Sequence, residues 1–336
     1  MRRPPAAVRA VLERVPGMTP DLVDACRARR VGGLTNHTYR VSCVGRRVAV
    51  RLPGPGLGAE IDRHAEAHNA ALAAGLGVAP GLVLADPACG VLVTEWVTGR
   101  RPFGAGREPA VSALTAAAKA LRTLHQSGTV FRGQVRLAAE LERYARLASS
   151  PGTPWPAHAD AALRGASATL CALDAHPLPP APCHNDPSPG NWVLRHGSAL
   201  LLDWEYSAMN DPAWDLACLA AEANLDPVSE TRLLAAYYGG APDRPRTARH
   251  ALLRPLADLL AALWLLAQDA RDGHRAFEAL APAHTRLARA ASALHGSGHR
   301  ASLRALAGHR AQPPRQDGVT ARAPAPTARR RAAPPS

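Results

Sequence analysis

Cys183-His184-Asn185-Asp186-Pro187-Ser188-Pro189-Gly190-Asn191-Trp192-Val193-Leu194, followed by Leu200-Leu201-Leu202-Asp203-Trp204-Glu205-Tyr206, is the part of this chain that decides its fold. An aspartate is followed five residues later by an asparagine, and a second aspartate closes an apolar run twelve residues beyond that. Transfer of a phosphoryl group to a hydroxyl needs an acceptor for the alcohol proton, metal ligands that bridge the phosphates, and a cation that holds the nucleotide. Asp186 can orient and deprotonate the alcohol, while Asn191 and Asp203 offer the hard oxygen ligands that Mg²⁺ takes. Turn chemistry accounts for Asn, Asp, Pro and Gly in the first segment. It does not account for a second acidic element placed after a hydrophobic hairpin.

Working outward toward the N-terminus, the third requirement can be tested. Thr38 to Val44 and Arg47 to Leu52 are β-rich runs split by Gly45, a hairpin signature. Gly32-Gly33-Leu34-Thr35-Asn36 precedes them, where a turn over phosphates belongs, although such a turn is common by itself. Gly33, Thr35 and Asn36 are the candidate nucleotide contacts in it. Lys119 is the only lysine in the chain, so the phosphate cation on the third strand must be an arginine, and Arg51 stands there. A guanidinium neutralises phosphate and can bind it bidentately. In the helix expected over 59–75, Glu60 and Glu66 are both placed to pair with Arg51, and position favours Glu66.

The coarse pattern begins with short helices over 5–15 and 19–29, the second capped by Thr19 ahead of Pro20. After the hairpin and the 59–75 helix come strands near 82–86 and 90–97. From about 108 the chain reads as helix over 108–126, 134–148, 158–174, 211–223, 228–238, 246–270 and 273–294, interrupted by a strand pair at 192–195 and 199–202. The expected class is therefore α+β and bilobal. Residues 1–97 form a nucleotide-binding lobe with a small antiparallel sheet and one helix, and 98–296 form a helical lobe with the catalytic loop and substrate site. The joint falls near Glu95 to Gly99. A tail over 297–336, rich in Arg, Pro and Ala, is expected to be disordered.

Bulk properties narrow the function classes. The formal charge of +13 looks like a nucleic-acid signal. Yet eight arginines against one aspartate put +7 of it into 297–336, so a specific nucleic-acid role is not expected. Six widely spaced cysteines with no C-x-x-C pair favour reduced thiols, no zinc site and a cytoplasmic setting. Arg9 interrupts the N-terminus before any apolar core of a secretion signal develops. The longest apolar run, Leu259 to Ala267, is nine residues, too short to span a bilayer and read as buried helix.

The catalytic segment matches the H-R-D-x-x-x-x-N and D-F-G elements of protein kinases, written here as H-N-D and D-W-E. Four segments together resemble the choline/ethanolamine kinase family and its bacterial relatives, which include thiamine kinases and border on aminoglycoside phosphotransferases. They are Gly32 to Tyr39, Arg51-Leu52-Pro53-Gly54, His184-Asn185-Asp186 through Asn191, and Asp203-Trp204-Glu205-Tyr206 through Asp211-Pro212-Ala213-Trp214-Asp215-Leu216. The resemblance covers roughly residues 30 to 290. It implies a protein-kinase-like fold that uses ATP and Mg²⁺, with Glu95 to Val97 as the adenine-facing hinge and Ser188 near the nucleotide. It also implies Glu205 near substrate or metal, and Asp215 as a support for the catalytic loop.

A quaternary ammonium is held by aromatic faces and carboxylates, and Tyr206 and Trp264 are the implied substrate residues. Aromatic residues make up only 4% of the chain, and no tyrosine stands near Pro282 where the family pattern expects one. Choline or ethanolamine is the first expectation for the acceptor. Thiamine and aminoglycosides stay open, and every base and metal position is filled, against a pseudokinase.

Overall fold

The structure, a computed structural model, describes residues 1–32, 36–54, 61–104, 108–149, 155–271 and 280–308. Its N-terminal part is a five-stranded antiparallel sheet in the order β1-β2-β3-β5-β4. The strands are β1 (Arg27–Gly32), β2 (Asn36–Cys43), β3 (Arg46–Pro53), β4 (Leu82–Asp86) and β5 (Val91–Glu95). The β2–β3 hairpin pairs Val41 with Val48 and turns through Gly45, whose φ of 71° is the left-handed conformation that glycine adopts without steric cost. Strand alternation gives the sheet two faces. Val41, Val48, Val50 and Val93 pack under α1 (Ala6–Leu12) and α2 (Pro20–Ala25). Thr38, Ala49, Arg51, Leu92 and Thr94 face a cleft instead.

Two sequence expectations change here. The helix expected over 19–29 ends at Ala25, and the chain turns extended at Cys26, with ψ of 152°. Arg27 to Arg30 then form the edge strand β1 against β2. Pairing with a neighbouring strand overrides local preference, as it often does at a sheet edge. That pairing brings Cys26 beside Cys43, and the two form a disulfide. The expectation of six reduced thiols is corrected by this pair, while Cys89, Cys171, Cys183 and Cys218 are free. Closing a loop of 17 residues contributes about 3 kcal/mol by the chain-entropy account. Reduction with dithiothreitol, or the double change Cys26→Ala and Cys43→Ala, is expected to lower the unfolding free energy by about that amount in a denaturant titration.

The next helix, α3 (Arg63–Gly75), is capped by Asp62, whose carboxylate accepts the N–H groups of His64 and Ala65. Beyond β5 the chain crosses β7 (Trp192–Arg195) by a bridge between Arg100 and Leu194. Gly99 sits so close there that a Cβ would lie 2.6 Å from the Leu194 carbonyl oxygen, so only glycine fits.

The second lobe contains α4 (Val111–His125), α5 (Leu137–Ala148), α6 (Ala159–Ala175), α7 (Pro212–Glu222) and α8 (Pro227–Tyr238). α9 (Arg244–Arg271), α10 (Leu280–His295) and α11 (Ser297–Ala307) complete the helices. Two short ribbons carry the site: β6 (Ala181–Cys183) with β9 (Ala208–Asn210), and β7 with β8 (Ser198–Leu201). The architecture is α+β and bilobal.

α9 is long enough and apolar enough to cross a membrane by composition alone, and 67% of its most apolar window is buried inside the protein. Leu259, Leu263 and Leu266 are at most 1% exposed among α5, α7 and α10. Each stabilises the fold by roughly 1.5–3 kcal/mol. The helix also buries Arg249, which donates to Asp211 and the His176 carbonyl, and Asp258, which accepts from Arg286 and Arg289. It is the central core helix of this lobe.

Disorder was expected from about residue 297, yet α11 is an ordered helix. Leu306 is buried, and His299 Nε2 meets the Thr169 hydroxyl at 2.8 Å. Its apolar residues are few, so the pattern is weak until α6 and α9 supply the surface that covers it. The rest of the expected tail, 309–336, lies outside the described residues.

Candidate active site

The loop between β6 and β7 is held from below by one buried carboxylate. Asp215, near the start of α7, accepts the N–H of His184 at 2.8 Å and of Asn185 at 2.7 Å, and contacts His125 Nε2 at 3.0 Å. Asn185 adopts φ of 67°, a left-handed conformation that asparagine tolerates better than most residues. Its amide donates to the Tyr206 carbonyl and accepts from Asn210, which fixes that conformation. His184 is fully buried, donates from Nε2 to the Leu202 carbonyl and accepts the Asp186 N–H at Nδ1. Burial holds its pKa down, so it stays a neutral ring on Trp204 and ties this loop to the segment after β8 that carries Asp203.

Asp186 and Asn191 meet on this platform. The Asn191 amide nitrogen donates to the Asp186 carbonyl, to Asp186 Oδ2 at 2.9 Å and to Ser188 Oγ at 3.2 Å. With the nitrogen committed there, the Asn191 amide oxygen is the atom left for a cation. Burial pushes the Asp186 carboxyl well up, and the negative charges of Glu222 and Asp203 add to the shift. Such a shift moves a carboxylate toward the range where it accepts a proton effectively at neutral pH.

Asp203 also takes the left-handed conformation, with φ of 63°, a local cost that concentrates at functional sites. Its Oδ1 accepts from Arg51 at 3.2 Å. Burial and the charge of Glu205 push its pKa up to about 7, against the pull of Arg51. The native state therefore binds a proton that the unfolded chain releases near pH 4. That contribution to stability is complete below about pH 4 and is lost as pH rises toward about 7. Melting temperatures of the ligand-free protein should fall across that window, and Asp203→Asn should flatten the fall.

Arg51 is 7% exposed and grips Glu66 through both terminal guanidinium nitrogens, with the Nη2 contact at 2.6 Å. Burial alone would lower its pKa, but the hydrogen bonds and charge of Glu66 raise it. Glu60 lies outside the described residues. Arg63, one turn before Glu66 on α3, donates to Glu66 at 2.9 Å, to Glu205 at 3.3 Å and to Asn36 at 3.1 Å. Asn36 in turn donates to Glu205 at 2.7 Å, so its side chain bridges the lobes.

Carboxylate oxygens of Glu66, Asp203 and Glu205 lie within 4.8 Å of one another. With Asn191 they make an all-oxygen donor set, the chemistry that suits Mg²⁺. A second grouping, His125, Cys183 and Asp215, is also that close. Its His and Asp atoms are taken up by hydrogen bonds to each other, Tyr237 and the loop backbone, and burial keeps the thiol protonated, so it packs and does not ligate.

Two cavities meet at these residues. One, of about 450 Å³, runs beneath the sheet past Ala49, Leu92, Thr94 and Arg51. The other, of about 460 Å³, lies between α5, α7, α9 and α10. Asp186, Ser188, Glu205, Tyr206 and Trp264 line both. Trp264 donates from Nε1 to the Tyr206 hydroxyl at 3.2 Å.

The expected residues Asn36, Arg51, Glu66, Asp186, Ser188, Asn191, Asp203, Glu205, Tyr206 and Trp264 thus converge on one cleft. Glu95 does not: it is exposed at the end of β5, and its N–H is used by the Gly81 carbonyl. Val97, half-buried just beyond, is outside the lining of both cavities. Gly33 and Thr35 lie outside the described residues.

Sequence reading missed Arg63, Arg101, Tyr144 and Glu222. Glu222 stands seven residues after Asp215 on α7, the helical spacing that puts both on one face, so that signal was present. Arg63 is i,i+3 from Glu66, a second readable signal. Tyr144 supplies an aromatic ring to the second cavity from α5, and Arg101 donates to the Trp192 carbonyl from an irregular segment. Neither carries a local pattern.

A profile of the APH phosphotransferase enzyme family matches residues 27–250. A choline/ethanolamine kinase family protein from Mesorhizobium loti superposes with a TM-score of 0.75 at 32% identity, over 89% of this chain and 98% of that one. The choline kinase LicA from Streptococcus pneumoniae has the same fold, with a TM-score of 0.68 at 24% identity over 79% and 93% of the two chains. Protein LicA of Haemophilus influenzae is 28% identical across 62% of this chain, an alignment that spans 61% of LicA's own length. The chain belongs to the phosphotransferase enzyme family, alongside proteins of the choline/ethanolamine kinase family.

Proposed function

We propose that this chain is an ATP-dependent kinase that moves the γ-phosphoryl group to the hydroxyl of a small amino alcohol, choline or ethanolamine first. The observation that carries the reading is the meeting of two cavities at Asp186, Ser188 and Glu205. A phosphate donor in one and an alcohol in the other would face each other there.

In this reading Arg51 holds the phosphates, with Gly33 and Thr35 as further expected contacts, and Glu66 fixes Arg51. Asn191 and Asp203, with Glu205, would hold Mg²⁺, which when bound neutralises charge on the phosphates. Asp186 orients the acceptor hydroxyl and takes its proton. Asn36 and Arg63 tie the lobes together at Glu205. We place the enzyme in the cytoplasm, where ATP and Mg²⁺ are supplied.

The acceptor cavity combines Tyr144, Tyr206, Trp214 and Trp264 with the carboxylate of Glu222. Aromatic faces and a buried acid suit a single cationic nitrogen.

The test is ADP release from Mg-ATP across choline, ethanolamine, thiamine and an aminoglycoside panel. Turnover is expected with at least one amino alcohol and not with the aminoglycosides. Turnover confined to aminoglycosides would replace the acceptor assignment.

A further inference from the structure

Phosphoryl transfer has no use for the guanidinium that α10 sends into the acceptor cavity. Arg286 donates to Glu222 Oε2 at 2.8 Å and to Asp258 Oδ1 at 3.3 Å. Asp258 is shared with Arg289, so Arg286 is anchored by a second acid and does not depend on Glu222 for its position. Both Glu222 and Arg286 line the cavity, and both are mostly buried.

Glu222 is within electrostatic reach of the transfer site. After burial, its charge is the largest influence on the Asp186 carboxyl. Asp186 and Glu222 line the same cavity, so Glu222 can face the nitrogen of an alcohol whose hydroxyl lies at Asp186. Part of its attraction is already engaged by Arg286.

We infer that Arg286 sets the acceptor class: it favours amino alcohols whose nitrogen carries hydrogens and disfavours quaternary ammonium compounds. The inference rests on the amino-alcohol reading of the cavity. A carboxylate offers about four lone-pair sites, so a primary ammonium can donate to Glu222 while Arg286 keeps its own hydrogen bond. A quaternary ammonium donates nothing. It is held by Coulomb attraction and aromatic faces, and a guanidinium already on the carboxylate offsets the first of these. Arg143 acts in the same sense, because its guanidinium lies 4.0 Å from the Tyr144 ring centre, where a ligand cation would otherwise stack.

The test compares the full-length protein with Arg286→Met at pH 8.5, measuring KM and kcat for ethanolamine and choline. Arg286→Met is expected to lower KM for choline by about tenfold, the equivalent of roughly one pKa unit of interaction. KM for ethanolamine should change by less than about threefold on the same scale. A residue that merely props up the pocket would raise both values or depress kcat, so the sign of the change separates the two roles.

An unchanged or higher choline KM in folded Arg286→Met overturns the inference, as does an equal fall for both amines. If Arg286→Met does not fold, Arg286→Gln, which keeps hydrogen-bonding capacity without the charge, answers the same question. Thermal protection by tetramethylammonium, which has no hydroxyl, reads the cation effect without turnover and should be larger in the variant. Turnover of neither amine by the wild type would sink the amino-alcohol reading. In that case equal protection of the two proteins by tetramethylammonium would overturn the role of Arg286 as well, and greater protection of the variant would uphold it.

Discussion

Asp186→Ala will lower kcat for acceptor phosphorylation by about 10²–10⁴-fold, the usual scale for loss of a positioned general base, with little change in KM for the nucleotide. Asp186 touches the loop through its own backbone and through side-chain hydrogen bonds with Asn191 and Ser188, while Asp215 and His184 hold the loop independently. The platform should therefore survive the change. Asp186→Asn is the sharper form of the experiment. It preserves shape and can still accept from Asn191, but it cannot take a proton, and it should lose nearly as much activity.

The same change has an opposite effect on stability. The Asp186 carboxyl is held up by burial and by the charges of Glu222 and Asp203, so the ionised native state is disfavoured relative to the unfolded chain. Asp186→Asn removes that repulsion, and the variant should melt at the same temperature as the wild type at pH 8 or above it. An inactive protein that is no less stable is the signature of a residue kept for chemistry and not for folding. Activity within about fivefold of wild type in Asp186→Asn would exclude the proton-accepting role, since that is far less than a general base contributes.

How much of this could be read from the chain follows from distance along it. Asp186, Asn191 and Asp203 fall within one loop and one hairpin, so their spacing carries their geometry. Asp215 follows closely and clamps the same loop. The hairpin of β2 and β3 was legible because a period of two and a glycine turn are local signals. β1 was not, because four of its six residues are arginine or alanine and its strand character comes from pairing with β2. The disulfide was hidden by the same error: Cys26 and Cys43 become neighbours only once β1 exists. Arg286 and Tyr144 reach the acceptor cavity from helices whose packing around α9 no local pattern specifies. The lobe that binds the acceptor is thus the harder one to read, because its site is assembled by tertiary packing.

Arg51→Met is expected to produce the largest combined loss. Arg51 satisfies both oxygens of the buried Glu66 and one oxygen of Asp203. Removing it leaves Glu66 with Arg63 alone and leaves Asp203 beside Glu205 without a cation between them. Breaking a buried pair in this way costs about 3–5 kcal/mol, because the surviving carboxylate stays buried. A denaturant titration should show that loss, and in the folded fraction KM for ATP should rise by at least about tenfold as the phosphate cation disappears. Arg51→Lys separates the two consequences. An ammonium restores the charge but cannot fork across Glu66, so it should recover the nucleotide KM to within about tenfold while recovering only part of the stability. If Arg51→Met lost stability yet kept its nucleotide KM and kcat in the folded fraction, Arg51 would be a structural tie between β3 and α3. The phosphate cation would then have to be sought elsewhere in the cleft, at Arg101, which lines the same cavity.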